Sequence, residues 1–343
     1  MQKTILSLPE DLERIIAKIL QQENSNEWIE GARLLHSRYM DDRINNKEII
    51  NGMRDALSYL ALRLPATYSQ SISAIDNVAE IIPSWMPKTM LDIGSGPGAG
   101  VIAAKEIFPS LEEAVCLDQN SDFISIGRKI FEELNMPINI TWKKGDMTRG
   151  IGAEKPMYDL ILVSNVLNEI SPIQREKLLG FAYNHCSGIL LIIEPGTPTG
   201  CGIVQTASVN FSHTSLVAPY IGNNIISRPD FWLHFSQKFT RPEFQRRVRQ
   251  NMRDSSLMAS DWEDSKYSYV AIGKIPAEVL PWGRCVGPVK LMNGYLEVPI
   301  LTKDFLKEIK IMKRHRSQYI FAKKLKWGQI ILREEDCIVS IVI

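Results

Sequence analysis

The sequence predicts an α/β fold built on a doubly wound, largely parallel sheet. Five short apolar segments alternate with helix-like segments, and each apolar segment ends in polar residues. A glycine-rich loop follows the first segment directly, which is how a buried parallel strand passes into a helix beside a bound ligand. In such sheets the ligand lies at the carboxyl ends of the strands. The five segments are 90–93, 114–118, 138–142, 158–164 and 188–193.

The glycine-rich loop indicates which ligand the sheet takes. Asp92 stands before three alternating glycines, Gly94, Gly96 and Gly98, in the spacing Asp-x-Gly-x-Gly-x-Gly. A dinucleotide-binding loop has the spacing Gly-x-Gly-x-x-Gly, which sets a helix N-terminus against a pyrophosphate. A carboxylate at Asp92 would repel a pyrophosphate but suits the cationic amino acid end of S-adenosylmethionine (SAM). We therefore predict a Rossmann-like, SAM-dependent methyltransferase sheet with SAM as cofactor.

Polar residues after the next three strands extend this predicted cofactor site. Asp118 lies 24 positions beyond Gly94, near the spacing at which such folds place a carboxylate on the ribose hydroxyls. Asp146 follows the third strand, from which it can reach the adenine amino group, and Asn165 follows the fourth. Each residue alone can cap a helix or lie in a solvated turn, but four successive strand ends that fit one ligand favour the cofactor. The predicted cofactor-binding residues are Asp92, Gly94, Gly96, Gly98, Asp118, Asp146 and Asn165.

The segment after the fourth strand supplies the candidates for catalysis. Asn165 can accept a hydrogen bond from a substrate amine, and Glu169 can serve as a base. Both residue types are also favoured in the first turn of a helix, so capping of the next helix is the alternative role. The segment lacks the prolines and the aromatic ring of the Asn-Pro-Pro-Tyr string often found in amine-methylating enzymes. No Pro-Cys string supports a covalent pyrimidine adduct either.

Composition and cysteine spacing exclude several classes of protein. The 343 residues are 45% hydrophobic, which is ample for a large core. No uninterrupted apolar run reaches the ~18 residues that cross a bilayer, and the N-terminus has neither a signal-peptide core nor the character of a transit peptide. The five cysteines are scattered without a Cys-x-x-Cys pair, which argues against a disulfide framework or a zinc site. We expect a cytoplasmic protein with no metal site and no membrane partner, and the oligomeric state stays open.

Positive charge is concentrated in the last third of the chain. Residues 236–330 contain 19 Lys or Arg and nine Asp or Glu, whereas the whole chain has a net charge of only +1. Such runs are commonly solvated helix faces, and the functional alternative is a surface that follows the phosphates of a nucleic acid. The candidate RNA-binding residues are Arg246, Arg247, Arg249, Lys313, Arg314 and Arg316.

The chain divides into three predicted regions. They are an N-terminal helical region at 1–80, the methyltransferase-like sheet domain at 87–275, and a small, basic, β-rich region at 280–343. Helical apolar spacing covers 12–21 and 49–64, and the strand-like segment 267–272 is expected at the edge of the sheet. An insertion at about 197–262 is longer than an ordinary connection, which favours a functional role. The alternating runs of the C-terminal region are 285–291, 295–301, 317–322 and 329–332.

Five strings in the sequence carry a family resemblance. They are RLPATY at 63–68, LDIGSGPG at 91–98, VLNE at 166–169, EPGTP at 194–198 and WLHFSQ at 232–237. With them the chain resembles the small-ribosomal-subunit methyltransferase-like family, whose mitochondrial members assist assembly of the small ribosomal subunit. The resemblance implies a SAM-dependent fold and small-subunit ribosomal RNA, or its precursor, as partner. It also implies that the basic C-terminal part faces that RNA.

The chain departs from that family at its iron–sulfur cluster. Family members typically hold a cluster with four cysteines, and the corresponding positions here are Tyr220, Ile226, Leu233 and, less securely aligned, Leu301. None of these side chains is a thiolate, which such clusters need as ligands, so we predict that no cluster is bound. A partial site using Cys201 and Cys285 is the alternative, and His234, beside the third position, is expected to be an interior or RNA-facing histidine.

Three functions remain open from the sequence. The first is an active methyltransferase that modifies small-subunit ribosomal RNA. The second is a ribosome assembly factor that keeps the SAM fold and binds RNA but transfers no methyl group. The third is a small-molecule methyltransferase, which would have a closed apolar pocket under the N-terminal helices and would leave the basic region without a purpose.

Overall fold

The computed structural model describes seven parts of the chain, namely residues 5–40, 50–146, 157–212, 214–222, 225, 231–251 and 260–332. The chain forms two compact units, which alternate along the sequence rather than following one another as the predicted regions do. The first unit comprises Met1–Ile75, Met86–Ser187 and Gln237–Ser265. The second unit comprises Asp76–Trp85, Gly188–Ser236 and Lys266–Ile343.

The N-terminal region is helical, as its apolar spacing predicts. Its helices are α1 (Glu10–Gln21), α2 (Ser25–Met40), α3 (Met53–Leu62) and α4 (Leu64–Ala79). Helix α1 buries the apolar stripe of Leu12, Ile15, Ile16 and Ile19. The single helix expected over 49–64 ends early at Leu62, and α4 begins at Leu64 with Pro65 in its first turn. Proline is tolerated there because the first backbone N–H groups of a helix have no helical partner.

The sheet of the first unit has the predicted parallel strands. They are β1 (Thr89–Ile93), β2 (Glu113–Asp118), β3 (Asn139–Lys144) and β4 (Tyr158–Ser164), in the order β3-β2-β1-β4. All three pairings are parallel, so the carboxyl ends of the four strands lie at one edge. The helices between and after them are α5 (Ala99–Ile107), α6 (Ser121–Leu134) and α7 (Pro172–Asn184). This arrangement confirms the predicted α/β class.

The rest of the α/β part contains antiparallel pairings. The elements here are β5 (Cys186–Pro195), α8 (Pro198–Asn210), β6 (Ser215–Ala218), β7 (Phe235–Thr240), α9 (Glu243–Asn251) and β8 (Trp262–Gly273). Strand β8 pairs antiparallel with both β5 and β6, and β7 also pairs with it. The expectation that 267–272 forms the edge of the sheet is therefore wrong. The short strand β6, hidden in the 197–262 insertion, takes the position outside β8.

The C-terminal part of the second unit is a five-stranded antiparallel sheet with one helix. Its elements are β9 (Gly283–Cys285), β10 (Lys290–Met292), β11 (Tyr295–Thr302), β12 (Leu306–Met312), α10 (Arg316–Lys323) and β13 (Ile330–Ile331). The strand order is β10-β11-β9-β13, and β12 pairs with the other side of β11. Val298, Ile300, Ile309 and Ile311 form much of its core.

Two features of this region differ from the sequence expectation. The run 317–322 is helical, because Ala322 and half-buried Tyr319 face inward three residues apart while Phe321 stays exposed. Conversely, β12 lies within the lysine-rich run, where exposed Lys310 separates buried Ile309 and Ile311. No helix among the described residues is long and apolar enough to cross a membrane.

Candidate functional site

The glycine-rich loop has the shape that its sequence predicts. Gly94, Gly96 and Gly98 all have positive φ angles, of 69°, 53° and 91°, which residues with a side chain rarely adopt. A Cβ atom at Gly98 would lie 2.6 Å from Cε2 of Phe131, so the loop packs tightly against the protein there. A Cβ atom at Gly96 would meet nothing within 4 Å. The loop is therefore closed on one side and leaves its backbone open to a ligand at Gly96.

Asp92 is a buried carboxyl with an unused acceptor. The residue is only 2% exposed, and among the described residues its Oδ2 atom has no hydrogen-bond partner. Burial, and secondarily the charge of Asp118, raises the pKa of Asp92 to about 8. A Cβ atom at Gly100 would lie 2.7 Å from this Oδ2 atom, so the helix that follows the loop needs glycine to pack beside it. A cationic group brought to Asp92 would supply the missing partner and favour its ionised form.

Asp118, at the end of β2, braces the glycine-rich loop. Its Oδ2 atom accepts a 2.8 Å hydrogen bond from the backbone N–H of Gly96, and its Oδ1 atom accepts one of 2.8 Å from Asn120. Burial raises the pKa of Asp118, while the N–H groups of Asn120, Gly96 and Gln119 oppose that rise. The structure thus places Asp118 beside the loop, and its contact with a ribose stays a prediction.

Asn165, at the end of β4, has the second unused acceptor. Its φ angle is +57°, an uncommon conformation for a residue other than glycine and one that is often found at functional sites. Its Nδ2 atom donates to Oε1 of Gln70 in α4 over 3.1 Å, whereas its buried Oδ1 atom has no partner among the described residues. Since β4 pairs directly with β1, Asn165 and Asp92 bring two unused acceptors to the same edge of the sheet.

Glu169 lies in a short 3₁₀ turn, Leu167–Glu169, and does not cap the next helix. Ser171 caps α7 instead, in a reciprocal arrangement with Gln174. The capping alternative for Glu169 is therefore wrong. Although the residue is exposed, crowding by protein atoms and the charge of Asp118 raise the pKa of Glu169 to about 7, against the effect of Arg63. A carboxyl that titrates near neutral pH can exchange protons with a substrate.

The N-terminal helices contribute side chains that sequence reasoning missed. The hydroxyl groups of Tyr59 in α3 and Thr67 in α4 are 3.2 Å apart, and the ring of Tyr59 meets Phe123 of α6 edge-on at 4.9 Å. The charges of Asp118 and Glu169 both act on the Tyr59 hydroxyl. Together with Gln70, Tyr59 therefore belongs to the surroundings of the candidate site. The unusual string at 63–68, which joins the two helices, is the signal that points to this region.

Asp146 and a nearby concave surface are the two remaining features around the predicted cofactor site. Asp146 is exposed and follows β3, but 147–156 lies outside the described residues, so its contact with adenine stays a prediction. A concave surface of the first unit lies away from the glycine-rich loop, along α6 and the end of β3. The assignment of the site rests on the loop and its buried acceptors rather than on that concavity.

The candidate RNA-binding residues differ in their exposure to solvent. Arg246 and Arg247 are exposed on α9, and Lys313, Arg314 and Arg316 are exposed at the turn before α10 and at its start. Arg249 is only 8% exposed, and its Nη2 atom lies 3.2 Å from a carboxylate oxygen of Glu263. Arg249 thus has a partner inside the protein; Arg246 also lies 3.6 Å from Asp261, but this pair is exposed, and RNA binding by the five exposed residues stays a prediction.

The positions that correspond to cluster ligands do not suit an iron–sulfur cluster. Burial raises the pKa of Tyr220 to about 12, Leu233 offers only a side chain without donor atoms, and Leu301 is buried in β11. Ile226 lies outside the described residues. Within the described ranges, no group of three His, Cys, Asp or Glu residues is arranged to hold a metal ion. The backbone carbonyl of Leu233 accepts a 2.8 Å hydrogen bond from Ser268 instead.

Comparison with solved structures returns methyltransferases of low similarity. The plantazolicin methyltransferase BpumL in complex with SAH is 12% identical, with a TM-score of 0.38, and the match covers 76% of this chain and all of that one. Precorrin-6y C5,15-methyltransferase from Geobacter metallireducens GS-15 is 9% identical, with a TM-score of 0.37 and coverages of 59% and 87%.

Sequence comparison gives the family. The human protein "Ribosome assembly protein METTL17, mitochondrial" is 24% identical over 159 residues, which are 44% of this chain and 34% of that relative. The match therefore spans about a third of the curated relative's length. A family model described as "Mitochondrial small ribosomal subunit Rsm22" matches residues 53–331, which include helices α3 and α4, the glycine-rich loop and the C-terminal sheet. The chain therefore belongs to the Rsm22 family.

Proposed function

We propose that this chain binds SAM at the carboxyl edge of β1, β2 and β4 and acts on small-subunit ribosomal RNA during assembly of the small ribosomal subunit. The observation that supports SAM binding is the pair of unused buried acceptors, on Asp92 and Asn165, beside an open glycine-rich loop. Membership of the Rsm22 family and the similarity to a ribosome assembly protein support the ribosomal part of the proposal. The exposed basic residues of α9 and α10 support RNA as the direct partner.

The residues present fit a ligand with a cationic amino group and polar sugar and base groups. Asp92 would hold the amino group, because its Oδ2 atom has no hydrogen-bond partner among the described residues and its carboxyl is better ionised next to a positive charge. The open backbone at Gly96 leaves room for the ligand beside Asp118. When bound, SAM supplies an activated methyl group.

The side chains after β4 have the chemistry to receive a substrate amine. The Oδ1 atom of Asn165 has two lone pairs, so it can accept a hydrogen bond from this amine as well as one from SAM, and it is already held in place because Nδ2 is bound to Gln70. Glu169, with a pKa of about 7, can accept the proton that the amine loses. Methyl transfer is an in-line displacement, so positioning of the two reactants is the main further requirement.

A second candidate function is a SAM-fold assembly factor that transfers no methyl group. The specific observation in its favour is that the two residues directly after Asn165, Val166 and Leu167, are aliphatic and only 6% and 0% exposed. These positions therefore present no ring on which a target base could stack. The two functions share the cofactor site and the ribosomal partner and differ only in turnover.

The ribosomal partner is tested by purifying the tagged chain from its host after ultraviolet crosslinking and sequencing the bound RNA. The proposal predicts enrichment of small-subunit ribosomal RNA or its precursor over large-subunit RNA, reduced in an Arg246→Glu, Arg247→Glu variant. Equal recovery of both ribosomal RNAs would contradict it. Transfer of labelled methyl groups from SAM to the purified small subunit then separates the two candidate functions. A cytoplasmic location stays a prediction, which microscopy of the tagged chain would test.

A further inference from the structure

Three aromatic side chains of the second unit form a continuous stack. The rings of Trp232 and His234 lie nearly parallel, with an interplanar angle of 18° and centroids 5.6 Å apart. Trp327 meets the His234 ring edge-on at 5.0 Å, and its Nε1 atom donates a 3.0 Å hydrogen bond to the backbone carbonyl of His234. The Nδ1 atom of His234 lies 3.1 Å from the carbonyl oxygen of Trp232. These contacts fix the orientation of the outermost ring, Trp232.

The outermost ring is unusually exposed for its size. Trp232 is 43% exposed, although one of its faces lies on His234. A second tryptophan, Trp262 in the first unit, is exposed to a similar extent, at 40%, but the ammonium group of Lys238 sits 3.5 Å above its ring. The surface of Trp262 therefore already has a cationic partner. Trp232 presents a flat apolar surface whose one ring contact among the described residues is that with His234, and no cation lies over it there.

Lysines lie close to this stack, in the chain beside Trp327 and in space beside His234. Lys323, Lys324 and Lys326 are exposed and directly precede Trp327, the residue at the base of the stack. Lys266 is close enough to act on the His234 imidazole, and burial together with this charge lowers the pKa of His234. The stack itself is thus uncharged at neutral pH, and lysines lie near two of its three members. An apolar ring with a basic rim is the combination that binds an unpaired nucleotide, since the base stacks and the lysines meet its phosphates.

We propose that the outer face of Trp232 is a stacking platform for an unpaired base of RNA, with the neighbouring lysines on the flanking phosphates. This inference rests on the proposed RNA partner and assigns to it a site outside the methyltransferase centre. Bases within a duplex are stacked on each other and do not present a free face, so the platform selects single-stranded segments.

The test uses the full chain and a fluorescein-labelled oligoadenylate, with binding followed by fluorescence anisotropy over a range of salt concentrations. We expect Trp232→Ala to weaken binding about tenfold, because one base loses its stacking partner. The ring carries no charge, so the slope of log affinity against log salt should stay that of the unchanged chain. Trp232→Phe keeps a stacking face and should retain most of the affinity. A Lys323→Ala, Lys324→Ala variant should instead reduce the salt slope, by about 0.7 for each lost phosphate contact.

The matched control is Trp262→Ala, which removes an equally exposed ring that already has a cationic partner and should leave oligoadenylate binding unchanged. Equal affinities of the unchanged chain and Trp232→Ala would overturn the platform, and so would a loss in Trp262→Ala as large as that in Trp232→Ala. Failure of the unchanged chain to bind any RNA would instead contradict the proposed RNA partner. If Trp232→Ala binds oligoadenylate normally but no longer associates with small-subunit particles, the ring contacts a ribosomal protein and the platform is refuted.

Discussion

The buried carboxyl of Asp92 predicts a measurable pH dependence of stability, which Asp92→Asn should remove. In the unfolded chain this carboxyl ionises near its ordinary pKa of 3.8, whereas in the folded protein burial raises the pKa to about 8. Between these values the folded state holds one proton more than the unfolded state. The free energy of unfolding of the natural protein therefore falls as pH rises through this window. An amide at position 92 does not titrate and contributes no such fall.

The size of the effect follows from the pKa shift. Each pKa unit corresponds to about 1.4 kcal/mol, so the raised pKa destabilises the folded protein by about 4 kcal/mol at pH 7. Asparagine of the same shape avoids this cost but leaves a buried N–H group without a partner, at about 1–3 kcal/mol. Asp92→Asn should therefore be about 1–3 kcal/mol more stable than the natural protein at pH 7. Its advantage should grow by about 1.4 kcal/mol for each pH unit from about pH 5 to about pH 7.

Urea unfolding followed by tryptophan fluorescence, at several pH values between about 5 and 8, measures this difference. The slope with pH is the decisive quantity, because it does not depend on the fixed cost of the amide. Parallel pH profiles for Asp92→Asn and the natural protein would contradict the raised pKa of Asp92, since they would mean that its carboxyl is solvated or already paired. Asp159→Asn serves as a matched control, because Asp159 accepts hydrogen bonds from the backbone N–H groups of Lys88 and Thr89 at the opposite ends of the strands.

Three further predictions concern other side chains. Asn165→Gly should leave stability within about 1 kcal/mol of the natural protein, because relief at a positive φ offsets the lost hydrogen bond to Gln70, and calorimetry should show weaker SAM binding. If methyl transfer occurs, its rate should fall as pH drops below about 7 and Glu169→Gln should abolish that acidic limb; an unchanged profile would exclude Glu169 as the base. Arg249→Ala should lower the free energy of unfolding by about 1–3 kcal/mol without changing RNA affinity. Arg247→Ala should weaken RNA binding without changing the free energy of unfolding. Equal losses of RNA affinity in the two variants would mean that Arg249 reaches the surface.

The parts of the fold that the sequence predicts well are those set by local pattern. Apolar strands that end in polar residues, and a loop in which three glycines alternate, depend on residues close together in the chain. The structure accordingly has β1, β2, β4 and the loop near their predicted places. The sequence pattern does not reveal strands β6 and β12, because β6 has only four residues and β12 carries the charged residues Lys307, Glu308 and Lys310.

The parts that could not be predicted depend on contacts between distant residues. Gln70 reaches Asn165 from 95 positions away, and nothing around Gln70 in the sequence marks that contact. The helical spacing of α9 likewise cannot decide which arginines face solvent, because buried Arg249 pairs with Glu263 on β8, a contact that the spacing does not show. The exposed stack of Trp232 on His234 and Trp327 also joins residues that are far apart in the chain.

Calorimetric titration of SAM into the natural protein and into Asp92→Asn, at about pH 8, tests the central claim most directly. We expect the natural protein to bind SAM and Asp92→Asn, although more stable, to bind it at least about tenfold more weakly, because a charge-assisted hydrogen bond is lost. We also expect the SAM affinity of the natural protein to rise from about pH 6 to about pH 8 as Asp92 ionises. Absence of binding to the natural protein, or equal affinity in the two proteins, would contradict the assignment of this edge of the sheet as a SAM site.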